Sequence, residues 1–491
     1  MNRSSFSSIL RQSLSTKYND RAAIEDASGE WKLSARQLID AAAILRRTLD
    51  IYSNRPFVIY VRKSPLYYAL TACAFLHHLD FCPLDIDNPI QRVLDVASQI
   101  PSCLILCDSD YILTELRKKT EHCLKVDFSL DPVGLPNEKP IIVRDNSHCC
   151  YFVATSGSTG LPKLVQVPHA AIVPFIEWAI PFYGVDSSTR WAQFSNIGFD
   201  LSLVDFAISL CGGATLIALA TELDRMRPGK TVSTARITHW HSVPTMIPYF
   251  LVEPSAVETL SSCRIFTFCG EPLMRVDAER LAGICPQARI INTYGPTEAT
   301  LFCSFFEYSV TDCSLTEDSV PIGEPIPSWN FVLIPEDGVD RLLILSDNLS
   351  KGYLGIPSAS FSAVSLFGRI MSAFDTGDYF YNAGQHLYFS HRKDSMVKLH
   401  GNRIDLGEIE SAAKRIGLIN PVAAVSKNGL SLALEGQPRP TREVQEELST
   451  ILPKSAVPRH ICFAPSHPRT IHGKLDRRAI ISALEDFYNA L

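Results

Sequence analysis

No C-x-x-C pair occurs anywhere in the 491 residues, although the chain carries 14 cysteines. Cys149 and Cys150 are adjacent, and Cys103 and Cys107 sit in an apolar run. That scatter lacks the ligand spacing of a zinc site. The thiols are expected to pack as small hydrophobes in a reducing compartment, so the expected localisation is cytoplasmic. No apolar run approaches the ~20 residues needed to span a bilayer. The N-terminal M-N-R-S-S-F-S-S-I-L lacks the apolar core of a secretory leader. Positive charge is not in excess either: 46 Lys and Arg against 52 Asp and Glu give 46 − 52 = −6. Neither nucleic acid nor an anionic membrane is an expected partner. Internal repeats and low-complexity tracts are missing.

Hydrophobic residues make up 46% and charged residues 20%. This is the balance of an ordinary globular protein. At roughly 100–200 residues per domain, the length fits two or three domains, or one large domain with an appendage.

One stretch organises the rest: Tyr151 to Val165, Y-F-V-A-T-S-G-S-T-G-L-P-K-L-V. An apolar run enters a loop of Thr155, Ser156, Gly157, Ser158, Thr159 and Gly160, and Lys163 follows. Small residues let backbone N–H groups converge on phosphate oxygens, and the hydroxyls and the lysine add donors and charge. A Walker-type loop needs Gly-Lys-Ser/Thr opening a helix, which is absent here. The same residues also suit a solvated turn.

The chain on both sides alternates strand and helix patterns, the signature of a mostly parallel sheet. Ser5 to Arg47 reads helical, with breaks near Asn19 and Gly29. Phe57–Val61 and Cys103–Cys107 read as strands, and Ser64-Pro65 opens a helix through Leu76. His169–Tyr183 and Leu203–Leu210 read as helices. Strands are expected over Ala214–Leu219, Ile237–Ser242, Arg264–Cys269 and Ala288–Asn292. Polar clusters follow several of these strands, where open α/β sheets bind ligands. Glu336–Leu343 reads as a hairpin turning at Asp337-Gly338. Ser346 to Phe367 reads as loop, and His391-Arg392-Lys393-Asp394 as an exposed charged stretch. About a hundred residues beyond it suit a small α+β domain.

Six blocks carry a resemblance. They are T-S-G-S-T-G-L-P-K at 155–163, G-F-D-L-S at 198–202, N-T-Y-G-P-T-E-A-T at 292–300 and T-G-D at 376–378. R-K-D-S-M-V-K-L-H-G-N-R-I-D-L-G-E-I-E at 392–410 and G-K-L-D-R at 473–477 complete the set. In this order and spacing the chain resembles the adenylate-forming superfamily. Within it, the chain is similar to amino-acid adenylation enzymes that serve carrier proteins, D-alanine–carrier-protein ligases and nonribosomal peptide synthetase adenylation domains among them. The resemblance implies an α/β fold. A large N-terminal domain of packed mixed sheets with helices would cover 1–393. A small mobile α+β domain carrying a catalytic lysine would cover 394–491. It implies AMP-forming activation of a carboxylate by ATP with Mg²⁺, then transfer to a thiol.

The resemblance also implies roles. Thr155, Ser156, Gly157, Ser158, Thr159, Gly160 and Lys163 would hold the β- and γ-phosphates. Tyr294 would stack on adenine, with Asn292, Thr293, Gly295, Pro296 and Thr297 around it. Asp378 would accept the ribose hydroxyls, with Arg392 beside them, and Glu298 would bind Mg²⁺. Lys474 would bridge the substrate carboxylate and the α-phosphate. Asp394 would be the hinge, or else a solvated charge. Gly401 would face the thiol arm. Asp200 would pair with a substrate α-ammonium; read alone, it also suits a helix N-cap. The pocket would comprise Asp200, Leu201, Val204, His241, Thr267, Cys269, Thr293, Leu301 and Phe302, sized for a small neutral or slightly polar amino acid. His241 suits a ligand contact or a structural histidine equally.

Only Arg478 to Leu491 follow the last block, so a separate phosphopantetheinylated carrier protein is the expected partner. Ala154 and Leu164 depart from the family pattern, and Leu164 is expected to crowd the loop exit if the Gly it replaces had positive φ. The alternatives are an acyl-CoA synthetase for a small carboxylic acid and a catalytically silent nucleotide-binding homologue. Asp200 opposes the first; Lys474, Asp378 and Glu298 oppose the second.

Overall fold

The computed structural model describes residues 5–18, 21–52, 55–126, 149–155, 161–252, 256–312, 315–336, 338–366, 368–392, 396–399, 402–426, 429–469 and 475–489. The chain divides into two compact units. One comprises Met1–Asp85, Ile100–Val153 and Leu164–Lys393; the other comprises Ile86–Gln99, Ala154–Lys163 and Asp394–Leu491. Among the described residues no helix is long and apolar enough to cross a membrane.

The first unit is built on a nine-stranded sheet. Its order is Glu324–Pro325, Ser304–Tyr308, Arg289–Tyr294, Ile265–Cys269, His239–Ser242, Arg190–Gln193, Thr215–Ala218, Ala22–Asp26 and Lys32–Ser34. The central strands pair in parallel. His239–Ser242 and Ile265–Cys269 are buried at every residue. Covered on both faces, they read as continuous runs rather than as alternating patterns. A six-stranded sheet holds Phe57–Tyr60, Phe81–Leu84 and Leu104–Cys107 at its centre, with Cys149–Thr155 and Lys163–Pro168 at one side. A third sheet is antiparallel and formed by Asn330–Glu336, Val339–Leu345, Arg369–Ala383, Phe361–Leu366 and His386–Arg392.

Side-chain alternation separates two cores. Trp191, Ile265, Cys269 and Ile291 share one with Phe175, Ile176, Val204 and Phe206 from the helices His169–Tyr183 and Asp200–Gly212. Trp240, Phe266, Phe268 and Ile290 face the other way, against Phe250 and Leu281. The Asp200–Gly212 helix ends at Gly213, which takes a left-handed φ of 85° and closes the last turn.

In the second unit, Ile419–Ser426, Gly429–Glu435 and His460–Ala464 form a three-stranded sheet. Helices Leu406–Arg415 and Thr441–Ser449 contribute Ile409, Ala413, Val444 and Leu448 to its core. Arg92, on the Ile90–Gln99 helix, is ion-paired with Glu408, and both side chains are buried.

Several sequence expectations are corrected. Ser5 to Arg47 is not helical throughout: helices Phe6–Thr16 and Ala35–Asp50 flank a hairpin of Ala22–Asp26 and Lys32–Ser34. Ala22–Asp26 is drawn into the sheet by parallel pairing to Thr215–Ala218, a partner nearly two hundred residues away that local periodicity cannot report. Within the stretch read as loop, Phe361–Leu366 is a strand paired to Arg369–Ala383. Leu164 does not crowd a turn. It lies in the Lys163–Pro168 strand, fully buried, its carbonyl accepting from Leu354 N–H. The 336–343 hairpin forms, with Gly338 at φ 86°.

Candidate active site

Register gathers the pocket residues. His241 pairs with Thr267, Thr267 with Ile291, and Cys269 with Thr293. Paired residues in parallel strands point to the same face, so His241, Thr267, Cys269 and Thr293 share one side of the sheet. All four are buried. The Asp200–Gly212 helix lies on that side and carries Asp200, Leu201 and Val204 in its first two turns. The N-cap is Phe199, so the alternative reading of Asp200 as a cap is not realised; Asp200 is the first helical residue. It is 8% exposed, and its charge helps to push the Tyr151 phenol pKa up, after burial itself.

Leu301 and Phe302 belong to the same buried cluster as Val204 and Cys269. Thr300 and Leu301 hold left-handed φ values of 63° and 69°, unusual for side chains of this kind. The Phe302 ring lies 4.8 Å from Phe175, 6.0 Å from Trp178 and 6.2 Å from His241. Gly295 allows this approach, since a Cβ there would sit 2.4 Å from the Phe302 Cα.

At the end of the Arg289–Tyr294 strand a second cluster forms. The Tyr294 hydroxyl donates to Asp378 Oδ2 at 2.6 Å, and Arg392 Nη1 donates to Asp378 Oδ1. Arg392 is therefore not the exposed charge expected from sequence; its side chain is 10% exposed and ion-paired. Thr376 Oγ1 receives the Asp378 N–H and donates to the Leu342 carbonyl, which fixes the carboxylate. Burial raises the Tyr294 pKa well above the phenol value, and the Asp378 charge adds to the shift, so Tyr294 remains a donor. Asn292 faces the other side of the sheet, where Nδ2 donates to the carbonyls of Val320 and Pro321. Its amide is committed to the fold.

Gly295, Pro296 and Thr297 lead into a short 3₁₀ turn, Thr297–Ala299, that carries Glu298. Glu298 is fully buried, and its Oε1 accepts from the Tyr353 hydroxyl at 2.7 Å. Tyr353 also lines an open cleft of about 460 Å³ with Lys351, Ser358 and Phe361. Thr155 is buried, and its hydroxyl donates to the Lys163 carbonyl. Ser156, Gly157, Ser158, Thr159, Gly160, Asp394, Gly401 and Lys474 lie outside the described residues.

The sequence profile of the AMP-binding enzyme family matches residues 12–354, well over half of the chain. The chain belongs to the AMP-binding enzyme family. It is 29% identical over 487 residues to the D-alanine--D-alanyl carrier protein ligase of Bacillus cytotoxicus, covering 92% of this chain and 94% of that one. The ligase of the same description from Bacillus cereus is also 29% identical, over 460 residues, with 87% and 89% covered. The fold is that of the Vibrio cholerae adenylation domain AlmE, solved with glycyl-adenosine-5'-phosphate. That superposition has a TM-score of 0.81 at 22% identity and covers 100% of this chain and 99% of that one. PA1221, a protein with adenylation and PCP domains, superposes with a TM-score of 0.78 at 22% identity, with 98% and 84% covered.

Three residues of this AMP-binding enzyme escaped the sequence reading. Asp205 is fully buried, and its Oδ1 accepts from Trp191 Nε1 at 2.8 Å and contacts His241 Nδ1 at 2.7 Å. A signal existed, an acid inside the apolar run Leu203–Leu210. Lys63 is part-buried and donates to the carbonyls of Gln193 and Ser195, just ahead of Asp200. Its pKa is lowered to about 7, chiefly by burial and then by nearby Arg225, against the opposing pull of Asp205 and Asp85. Nothing local marked Lys63 or Tyr353.

Proposed function

We propose that this AMP-binding enzyme is an AMP-forming acid–thiol ligase. It activates a small amino acid with ATP as the aminoacyl-adenylate and passes it to the phosphopantetheine thiol of a carrier protein, chemistry of the nonribosomal kind. The observation that carries this reading is Asp200. A buried carboxylate heads the helix that carries Leu201 and Val204, which pack in one cluster with Leu301 and Phe302. Such a charge is stabilised by a cationic partner, and the α-ammonium of an amino acid supplies one. The names of the Bacillus relatives support the same assignment.

In the first step an oxygen of the substrate carboxylate attacks the α-phosphorus, and pyrophosphate leaves. Two anions must meet, so positioned cations and donors lower the barrier. Lys474 is assigned to that role. Thr155, Ser156, Gly157, Ser158, Thr159, Gly160 and Lys163 are assigned to the β- and γ-phosphates. Tyr294 and Asp378 flank the nucleoside, with Arg392 holding the Asp378 carboxylate. In the second step the thiol displaces AMP from the acyl carbon. Asp394 is assigned as the hinge between residues 1–393 and 394–491, and Gly401 as the residue facing the incoming thiol.

Magnesium fits as a companion of ATP. Among the described residues no group of three His, Cys, Asp or Glu could hold a metal by itself. Glu298 offers a fully buried carboxylate steadied by Tyr353, which suits a cation carried mainly by phosphate oxygens. When bound, the cation neutralises phosphate charge. The inferred compartment is the cytoplasm, in keeping with thiols packed inside the core, as Cys73, Cys150 and Cys211 are.

Amino-acid-dependent ATP–pyrophosphate exchange across a panel of small amino acids tests this reading. Exchange with at least one, followed by its appearance as a thioester on a carrier protein, is the expected result. Exchange supported by simple carboxylic acids and by no amino acid overturns it.

A further inference from the structure

Asp205 Oδ1 contacts two ring nitrogens, Trp191 Nε1 and His241 Nδ1. The indole nitrogen is a donor only, so Oδ1 acts as an acceptor. An acceptor at 2.7 Å places a proton on His241 Nδ1, and of the two single-proton tautomers this selects the one with a lone pair on Nε2. His241 is 1% exposed, and its Nε2 has no hydrogen-bond partner among the described residues. A buried acceptor left unmatched destabilises the site, and a matching donor restores it. The ring faces Phe302 at 6.2 Å and stands beside Thr267 on the pocket side of the sheet.

We infer that Asp205 sets the hydrogen-bonding polarity of the pocket: by holding His241 in the Nδ1–H form, it presents Nε2 as a buried acceptor for a substrate side chain that donates one hydrogen bond. This rests on the amino-acid-activating reading. Asp205 does not touch the substrate. It is a positioning residue, and His241 makes the contact. Burial raises the Asp205 pKa on balance, against the pull of His241, the Trp191 N–H and nearby Lys63. The Trp191 N–H donated to Oδ1 holds that oxygen in an acceptor role. The pocket therefore prefers a hydroxyl-bearing amino acid to its methyl isostere. A site built around a polar group discriminates more strongly than an apolar one, because the analogue leaves its partner unmatched.

Two measurements test this. In ATP–pyrophosphate exchange, serine is compared with 2-aminobutyrate, which replaces the hydroxyl by a methyl of similar size. The native enzyme is expected to favour serine in kcat/KM by ~10-fold or more, the factor that one unmatched buried hydrogen bond implies. Asp205→Leu removes the oxygen that both Trp191 Nε1 and His241 Nδ1 contact, frees the ring to carry its proton on Nε2 and is expected to lower that ratio towards one, with KM for ATP unchanged. A native ratio at or below one overturns the inference, as does an unchanged ratio in a folded Asp205→Leu enzyme. Separately, ¹⁵N NMR of the histidine rings in the ligand-free native protein reads the tautomer without activity. Protonated Nδ1 and unprotonated Nε2 at His241 are expected, and a proton on Nε2 overturns the inference. If no amino acid supports exchange while the expected tautomer is seen, the function reading fails and the placement of the proton stands.

Discussion

The hydroxyl of Tyr294 and the carboxylate of Asp378 lie 2.6 Å apart across 84 residues of sequence. The contact joins the end of a parallel strand to the middle of the long antiparallel strand Arg369–Ala383. Arg392, on the next antiparallel strand, completes it from the other carboxylate oxygen. Three segments thus converge on one buried carboxylate at the place assigned to the nucleoside.

Asp378→Asn removes the charge and keeps the shape. A hydrogen bond to a charged group contributes about 1.5–3 kcal/mol. The expected outcome is a KM for ATP raised ~10- to 100-fold, with KM for the amino acid nearly unchanged. Steady-state kinetics with each substrate varied in turn checks it; an unchanged ATP response removes Asp378 from the nucleotide site.

Gly295→Ala places a methyl where Phe302 backbone already stands, 2.4 Å from its Cα. Backbone gives way less readily than a side-chain tip. A loss of about 1–3 kcal/mol in stability is expected, as for other overpacked sites. The displaced wall should also weaken amino-acid binding. Thermal denaturation with and without amino acid reads both effects, and a native melting curve contradicts the packing described.

Lys63 has its pKa lowered from 10.5 to about 7, chiefly by burial. The sign follows from proton counting. Between pH 7 and about 10 the unfolded chain keeps the proton that the folded chain has released. The native protein therefore gains stability relative to Lys63→Met as pH rises through that window, and the penalty is complete below pH 7. Melting temperatures of both proteins at pH 6.5, 8 and 9.5 test this. A constant difference between the two shows that the ammonium is not desolvated.

Arg92 and Glu408 are 8% and 3% exposed and ion-paired within the second unit. Breaking a buried pair from one side costs about 3–5 kcal/mol, whereas replacing both partners by apolar residues is often near neutral. Arg92→Met and Glu408→Leu singly should each lose that much, and the double variant should recover most of it. Denaturant melts of the four proteins give the cycle; additive losses contradict a buried pair.

Legibility in the sequence follows the range of the contacts. The His169–Tyr183 helix and the central strands were readable because apolar content and breakers are local. The motif blocks singled out Asp200, Tyr294, Asp378 and Glu298 as candidates, and the structure adds the hydrogen bonds that hold the last three. Asp205 was hidden because its partners lie 14 and 36 residues away, and Tyr353 because Glu298 is 55 residues away. The Ala22–Asp26 strand was hidden for the same reason. Asn292 was readable as part of a motif, but strand parity turns its side chain away from the pocket.

The central claim is that Asp200 receives an ammonium. Exchange kinetics with alanine, serine and glycine, each set against its des-amino counterpart, in the native enzyme and in Asp200→Ala, test it most directly. The account predicts that at least one amino acid outperforms its des-amino counterpart by ~100-fold or more, and that Asp200→Ala removes most of that advantage, as expected when a buried charged hydrogen bond is lost. A native enzyme indifferent to the amine, or an Asp200→Ala enzyme that keeps the full preference, would contradict it.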